Sequence, residues 1–335
     1  MSTYGQYSSY LTKHPDEQKP LIPYQPGCIL NAQAYAPPQP PDYHYTWTHG
    51  QRKKDIAERY PLQLCLENPS AAGTLGNESL QLEIGQPIRV EDLANSQIAQ
   101  VAVLDRETHG SESMLPAPAD GTTIAAKFYD PLYYDFDESQ ADPFANCDAA
   151  FAHEANPYHH LRQVYGVIVP RFYGSYSADI PLPSSPSRTR PVRTILYEHV
   201  AGTVLGNVER EDYSTSQRQA IMSAVMDCHS ILWQLDVVHG DLHPRNIIVV
   251  SAKEGERAEV RLIDLNMASV GLRAEYNGHV PTTRLEARSA IVERWFDEDL
   301  RDMMLDFEWL VDWNWTEWLQ NEYPASCVNS QPRRP

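Results

Sequence analysis

A chain of 335 residues with a formal charge of −18 is long enough to bury a sizeable core and too acidic for general nucleic-acid binding, which needs clustered Lys and Arg. No apolar run approaches the roughly eighteen residues of a membrane-spanning helix, and the opening Met1-Ser2-Thr3-Tyr4-Gly5-Gln6 lacks the basic and apolar regions of a secretory leader. The cysteines at 28, 65, 147, 228 and 327 are odd in number and not closely paired, which predicts reduced thiols in a cytoplasmic protein, with the nucleus as the alternative setting.

Residues 1–61 are rich in Pro, Tyr and Gln, most densely at Tyr35-Ala36-Pro37-Pro38-Gln39-Pro40-Pro41. So few aliphatics cannot offset the ordering entropy, and this segment is expected to be a disordered tail. Short β-rich runs follow at Leu80 to Ile84, Ile98 to Leu104 and Thr122 to Tyr129. In the last of these, Ala125 and Lys127 share one face, because side chains alternate with period two. Phe151, Glu154, Tyr158 and Leu161 follow helical spacing, with Pro157 expected to kink or restart that helix. The Pro and Ser cluster from Pro181 to Ser187 predicts a surface loop between strands near Phe172 and Thr194.

Ile221, Val225, Cys228, Leu232 and Leu235 recur at steps of four and three, which predicts a helix over Ser216 to Leu235. Ser214 with Gln217 predicts a capping box at its start. The chain then reads Val238-His239-Gly240-Asp241-Leu242-His243-Pro244-Arg245-Asn246-Ile247. An apolar run to Val250, a polar turn over Ser251 to Glu256 and a return strand from Val260 to Ile263 would bring Asp264 back beside Asp241 and Asn246. Three side chains that carry oxygen would then converge from separate positions. Further helical patterns run from Ala287 to Phe296 and Arg301 to Leu310, with tryptophans at 295, 309, 313, 315 and 318 expected on a packing face.

This string, with the hairpin and Asp264 after it, resembles the catalytic and metal-binding core of the protein-kinase-like superfamily. His243, two residues past Asp241, matches the aminoglycoside phosphotransferase and choline kinase branch, and small fungal kinase-like proteins are the nearest overall resemblance, over roughly residues 75 to 323. The resemblance implies an α+β, two-lobed kinase-like fold. Residues 62–197 would be a small β-rich N-lobe, 198–323 the hinge and a reduced helical C-lobe, and 324–335 a tail.

It also implies ATP and Mg2+ as cofactors, with Asp241 orienting an acceptor hydroxyl and Asn246 and Asp264 holding the metal. Lys127 would reach the nucleotide phosphates, held by Glu154, while Ala125 leaves room for adenine. Tyr197 would line the back of the adenine pocket, the Glu198 carbonyl would accept from its amino group and the Val200 amide would donate to its ring.

The chain departs from the pattern in lacking a glycine-rich loop between its first strands. A pseudokinase or nucleotide-binding scaffold is therefore the alternative to a phosphotransferase. A protein kinase is a third reading, disfavoured by His243 and by a short chain past Asp264 without Ala-Pro-Glu. The acidic balance favours a cationic acceptor, either an amine-bearing small molecule or a basic peptide.

Overall fold

The computed structural model describes residues 19–40, 54–55, 59–108, 123–134, 142–182, 185–271 and 305–323. The helical patterns at 287–296 and over most of 301–310 lie outside them, as do both chain ends. The protein is mixed α/β, with a β-rich sheet and, among the described residues, four α-helices. The chain divides into two compact units, Met1–Ala155 with Phe172–His199 and Asn156–Arg171 with Val200–Pro335.

In the first unit, six antiparallel strands close into a barrel: β1 (Ile29–Ala36), β2 (Thr74–Arg89), β3 (Gln97–Thr108), β4 (Ile124–Tyr129), β5 (Phe172–Leu182) and β6 (Ser185–Glu198), in the order β1-β2-β3-β4-β6-β5. Every second residue points inward, as strand geometry requires. Leu80, Leu82 and Ile84 of β2, Ala99 and Val101 of β3, and Ile124, Ala126 and Phe128 of β4 fill the interior with Tyr176, Ala178, Val192 and Leu196. The short helix α1 (Pro61–Glu67) precedes β2, and α2 (Pro143–His160) lies between β4 and β5 in sequence.

Two expectations for this unit need correction. Residues 29–36 are a strand rather than part of a disordered tail, and β1 pairs with both β2 and β5. Averaged composition hides so short an element, whose inward positions are Leu30 and the small Ala32 and Ala34. The chain before it is also anchored: the buried Tyr24 ring stacks on Phe128 at 4.2 Å, and its hydroxyl donates to Asp130 at 2.7 Å. The expected loop over 181–187 is mostly hairpin, since β5 runs to Leu182 and β6 resumes at Ser185. Pro181 and Pro191 are tolerated because the pairing of β5 with β1 stops at Asp179 and that of β6 with β4 at Arg193, so each proline has a paired strand on one side only.

The second unit is built on α3 (Thr215–Gln234), whose Ser214 cap accepts from the Gln217 amide while the Gln217 side chain accepts from the Ser214 amide. Its predicted stripe is buried throughout. After α3 come β8 (Val237–Val238), β9 (Ile247–Ser251), β10 (Glu259–Leu262) and β11 (Ser269–Val270). β9 lies between β10 and β7 (Thr203–Val204), and β8 pairs with β11. The final helix α4 (Trp315–Glu322) is tied to α3 by Tyr323, whose hydroxyl donates to the buried Asp227 at 3.2 Å. Arg218 of α3 donates to the Leu310 carbonyl and to Asp312, both at 2.7 Å. This unit takes in residues 156–171, so the boundary between the units falls after Ala155, within the continuous α2.

Candidate functional site

In the first unit, Ala125, Lys127 and Tyr129 occupy the face of β4 opposite the barrel interior, and even these outward positions are buried. Lys127 Nζ donates to Glu154 Oε2 at 2.5 Å, with the two side chains 2% and 1% exposed. A surface Glu is therefore excluded. Helix α2 continues through Pro157 rather than restarting there, which keeps Glu154 on the same face as Phe151 and Tyr158. A buried charge pair needs further hydrogen bonds to offset desolvation. Tyr129 supplies one by donating to the same Glu154 oxygen, and its ring meets Phe151 edge-on at 5.8 Å. Tyr129 was missed from sequence, although its period-two offset from Lys127 signals it.

The half-buried Tyr197 pairs in register with Ala125, and Glu198 with Ile124, so these three predicted adenine-side residues are neighbours on adjacent strands. Val200 falls in the second unit. The connection from β2 to β3, where a glycine-rich loop would stand, is pinned by side chains. Gln97 Nε2 donates to the Glu91 carbonyl at 2.7 Å while its Oε1 accepts from the Glu91 amide at 2.9 Å. The Ala94 amide donates to the Tyr133 carbonyl, Arg89 donates to Ser96, and Asp92 pairs with Lys19.

In the second unit, β8 runs directly into His239-Gly240-Asp241. Gly240 has φ +76°, and a Cβ there would lie 2.1 Å from the Met267 carbonyl oxygen. Both facts require glycine. Gly240→Ala is expected to cost at least ~2 kcal/mol through strain and displacement of Met267. Urea unfolding measures this, and a variant within about 0.5 kcal/mol of the parent would contradict it.

His239 is fully buried, and its Nε2–H donates to the Ile263 carbonyl at 3.1 Å while Nδ1 accepts from the Asp241 amide at 3.4 Å. Burial pushes its pKa below the ordinary histidine value, against the pull of Asp264 and Asp241. A neutral ring with its proton on Nε2 suits both bonds. His239 thus links the backbone of the Asp241 loop to the strand end that carries Asp264. The Ile263 amide adds a second link by donating to the Asn246 carbonyl at 2.9 Å.

Asn246 sits in the short 3-10 turn Pro244–Asn246, 3% exposed, and its Nδ2 donates to the Asp241 carbonyl oxygen at 2.9 Å and to Asp241 Oδ2 at 2.8 Å. The amide is thereby oriented with Oδ1 as the atom a cation would take. Asp264 adopts φ 63° and ψ 68°, a left-handed conformation that costs a non-glycine residue roughly 1–3 kcal/mol. Its carboxylate accepts no capping hydrogen bond from the turn Leu265–Met267 that it precedes.

Among the described residues no group of three or more His, Cys, Asp or Glu forms a metal cluster. One carboxylate and one amide oxygen do fit magnesium, which typically takes one or two protein ligands and fills its octahedron with phosphates and water. Sequence reasoning gave Arg245 no role. In the structure it donates from Nη2 to both Asp241 oxygens, at 2.8 and 2.9 Å, an i,i+4 relation readable from the string alone.

No curated protein matches the chain. The family model described as lipopolysaccharide kinase (Kdo/WaaP) matches residues 195–307, from the end of β6 through the Asp241 loop and the Asp264 hairpin. That family belongs to the protein-kinase-like superfamily, and the match, over less than half of the chain, supports a kinase-type phosphotransferase.

Proposed function

We propose that this protein is an ATP- and magnesium-dependent phosphotransferase that moves the γ-phosphoryl group to a hydroxyl of a small-molecule acceptor. The observation that carries this reading is the network in which His239, Asn246 and the Ile263 backbone hold the Asp241 loop against the strand that delivers Asp264. In this reading Asp241 orients the acceptor hydroxyl and receives its proton, Asn246 and Asp264 hold magnesium, and Lys127, steadied by Glu154 and Tyr129, binds nucleotide phosphates. Ala125, Tyr197 and the backbone of Glu198 and Val200 serve the adenine. Bound magnesium would draw negative charge from the phosphate oxygens. Catalysis is then mainly positioning and charge stabilisation. His243 and the family match favour a sugar-like or other small acceptor over a protein.

A thermal-shift titration tests the nucleotide half of this proposal. MgATP at about a hundred times its dissociation constant adds roughly 2.7 kcal/mol to the stability of a protein that binds it. No rise in unfolding temperature would sink it. A binding module without transfer is the second reading, favoured by the pinned connection between β2 and β3, which offers Glu91 and Asp92 where phosphates would need amide donors. A thermal shift with MgATP and no transfer to any acceptor would select it.

A further inference from the structure

Resting on the phosphotransferase reading, we propose that Arg245 is a positioning and acceptor-selecting residue. It fixes Asp241 with one carboxylate oxygen open to the acceptor hydroxyl, and its charge cancels the pull that a bare carboxylate would exert on amine-bearing acceptors.

The carboxylate of Asp241 offers about four acceptor positions, two on each oxygen. Oδ2 receives Arg245 Nη2 at 2.9 Å and Asn246 Nδ2 at 2.8 Å, whereas among the described residues Oδ1 receives only Arg245 Nη2, at 2.8 Å. Oδ1 is therefore the oxygen with room for a hydroxyl. In the transfer step the acceptor oxygen bonds to the γ-phosphorus as the bond to the β,γ-bridging oxygen breaks. The electron pair leaves with ADP, and the hydroxyl proton passes to Oδ1.

Arg245 uses one nitrogen on Asp241 and keeps Nε and Nη1 for other oxygens. Its side chain is 57% exposed and that of Asp241 29%, so an acceptor can approach the pair. Exposed ion pairs contribute little to stability, and the consequence of this one is orientation. The backbone that carries the guanidinium is anchored, because the Arg245 amide donates to His243 Nδ1 at 3.1 Å.

The ion pair is neutral, so Asp241 exerts on an acceptor's ammonium group little of the attraction that the bare carboxylate would. This local cancellation matters more than the overall −18, since fields from exposed groups fade over ~8 Å at physiological salt. The acceptor class is then a hydroxyl compound that is neutral or anionic near its reacting oxygen, in contrast to the cationic acceptor that net charge suggests.

The test measures transfer from labelled MgATP to glucose, glucosamine, glucuronate and water by the wild type, Arg245→Gln and Arg245→Lys, each first shown to unfold at the parental temperature. The wild type should use glucose at least as well as glucosamine in kcat/KM. Arg245→Gln should lower kcat by roughly thirtyfold or more, with KM for ATP within about twofold, and should shift the acceptor ratio toward glucosamine. Arg245→Lys should restore the acceptor ratio better than the rate, because a rotating ammonium on a flexible stem holds the carboxylate less firmly than the planar guanidinium.

If water is the only acceptor used, the loss of hydrolysis in Arg245→Gln decides the question. Glucosamine as the preferred acceptor, Arg245→Gln turnover within about threefold of wild type, or MgATP binding without turnover would each overturn the proposal. Failure of the wild type to bind MgATP would instead overturn the reading on which it rests.

Discussion

Asp241→Asn is expected to abolish phosphoryl transfer, lowering turnover by roughly a thousandfold or more, while MgATP affinity stays within about twofold of the parent. The substitution is nearly isosteric, so the cause is the loss of acceptor capacity. Arg245 and Asn246 together place three donor contacts on the two carboxylate oxygens. An amide can meet those donors only with its oxygen, which leaves its NH2 group where Oδ1 stood. A donor would then face the hydroxyl proton that has to be accepted. Lys127, Glu154 and Asp264 are untouched, and Asn246 keeps its bond to the residue 241 carbonyl. Calorimetric titration with MgATP, paired with labelled-phosphate transfer, separates the two effects. Transfer surviving above about a tenth of the parental rate would refute the assigned role of Asp241.

Arg190→Met should destabilise the barrel by roughly 3–5 kcal/mol, because it strands a buried carboxylate. Arg190 donates from Nη1 and Nη2 to the two Asp130 oxygens at 2.7 and 2.6 Å, and the side chains are 5% and 0% exposed. Burial alone would pull the guanidinium below its ordinary range, and Asp130 more than offsets it, holding the Arg190 pKa above that range. Asp130 also accepts from the Tyr24 hydroxyl and the Leu132 amide, which ties the segment before β1 to the end of β4. A loss of this size lowers the unfolding temperature by roughly 6–20 °C in a unit of this length. Adding Asp130→Leu should recover part of it, since replacing both charges leaves none unpaired. A single-variant cost below about 1 kcal/mol would show that the pair does not secure the barrel.

The parts of the site that lie close together in sequence were legible before any coordinates. The string from His239 to Asn246, the hairpin to Asp264, and α3 with its Ser214–Gln217 box depend on turn chemistry and periodicity acting over a few residues. The Lys127–Glu154 pair was legible only through family resemblance, since nothing in the spacing of residues 27 positions apart requires contact. It forms as an ion pair because β4 and α2 bury both groups on one face. Arg245 was readable in principle from its i,i+4 distance to Asp241, yet the same spacing on a solvated turn is common and carries no signal by itself.

The amino-acid sequence by itself determined the local devices: which short runs alternate as strands, where α3 starts, and which oxygen-bearing side chains share the Asp241 turn and its hairpin. Tertiary structure alone decided that residues 29–36 close a barrel against β5, that the proline-rich 181–187 stretch is mostly a hairpin, and that α2 runs unbroken through Pro157 with Glu154 buried. The reason is that each of these outcomes depends on a distant partner. A strand whose inward side chains are one leucine and small alanines, a proline beside an absent neighbour and a charge beneath a sheet are favourable only once segments far apart in the chain have met.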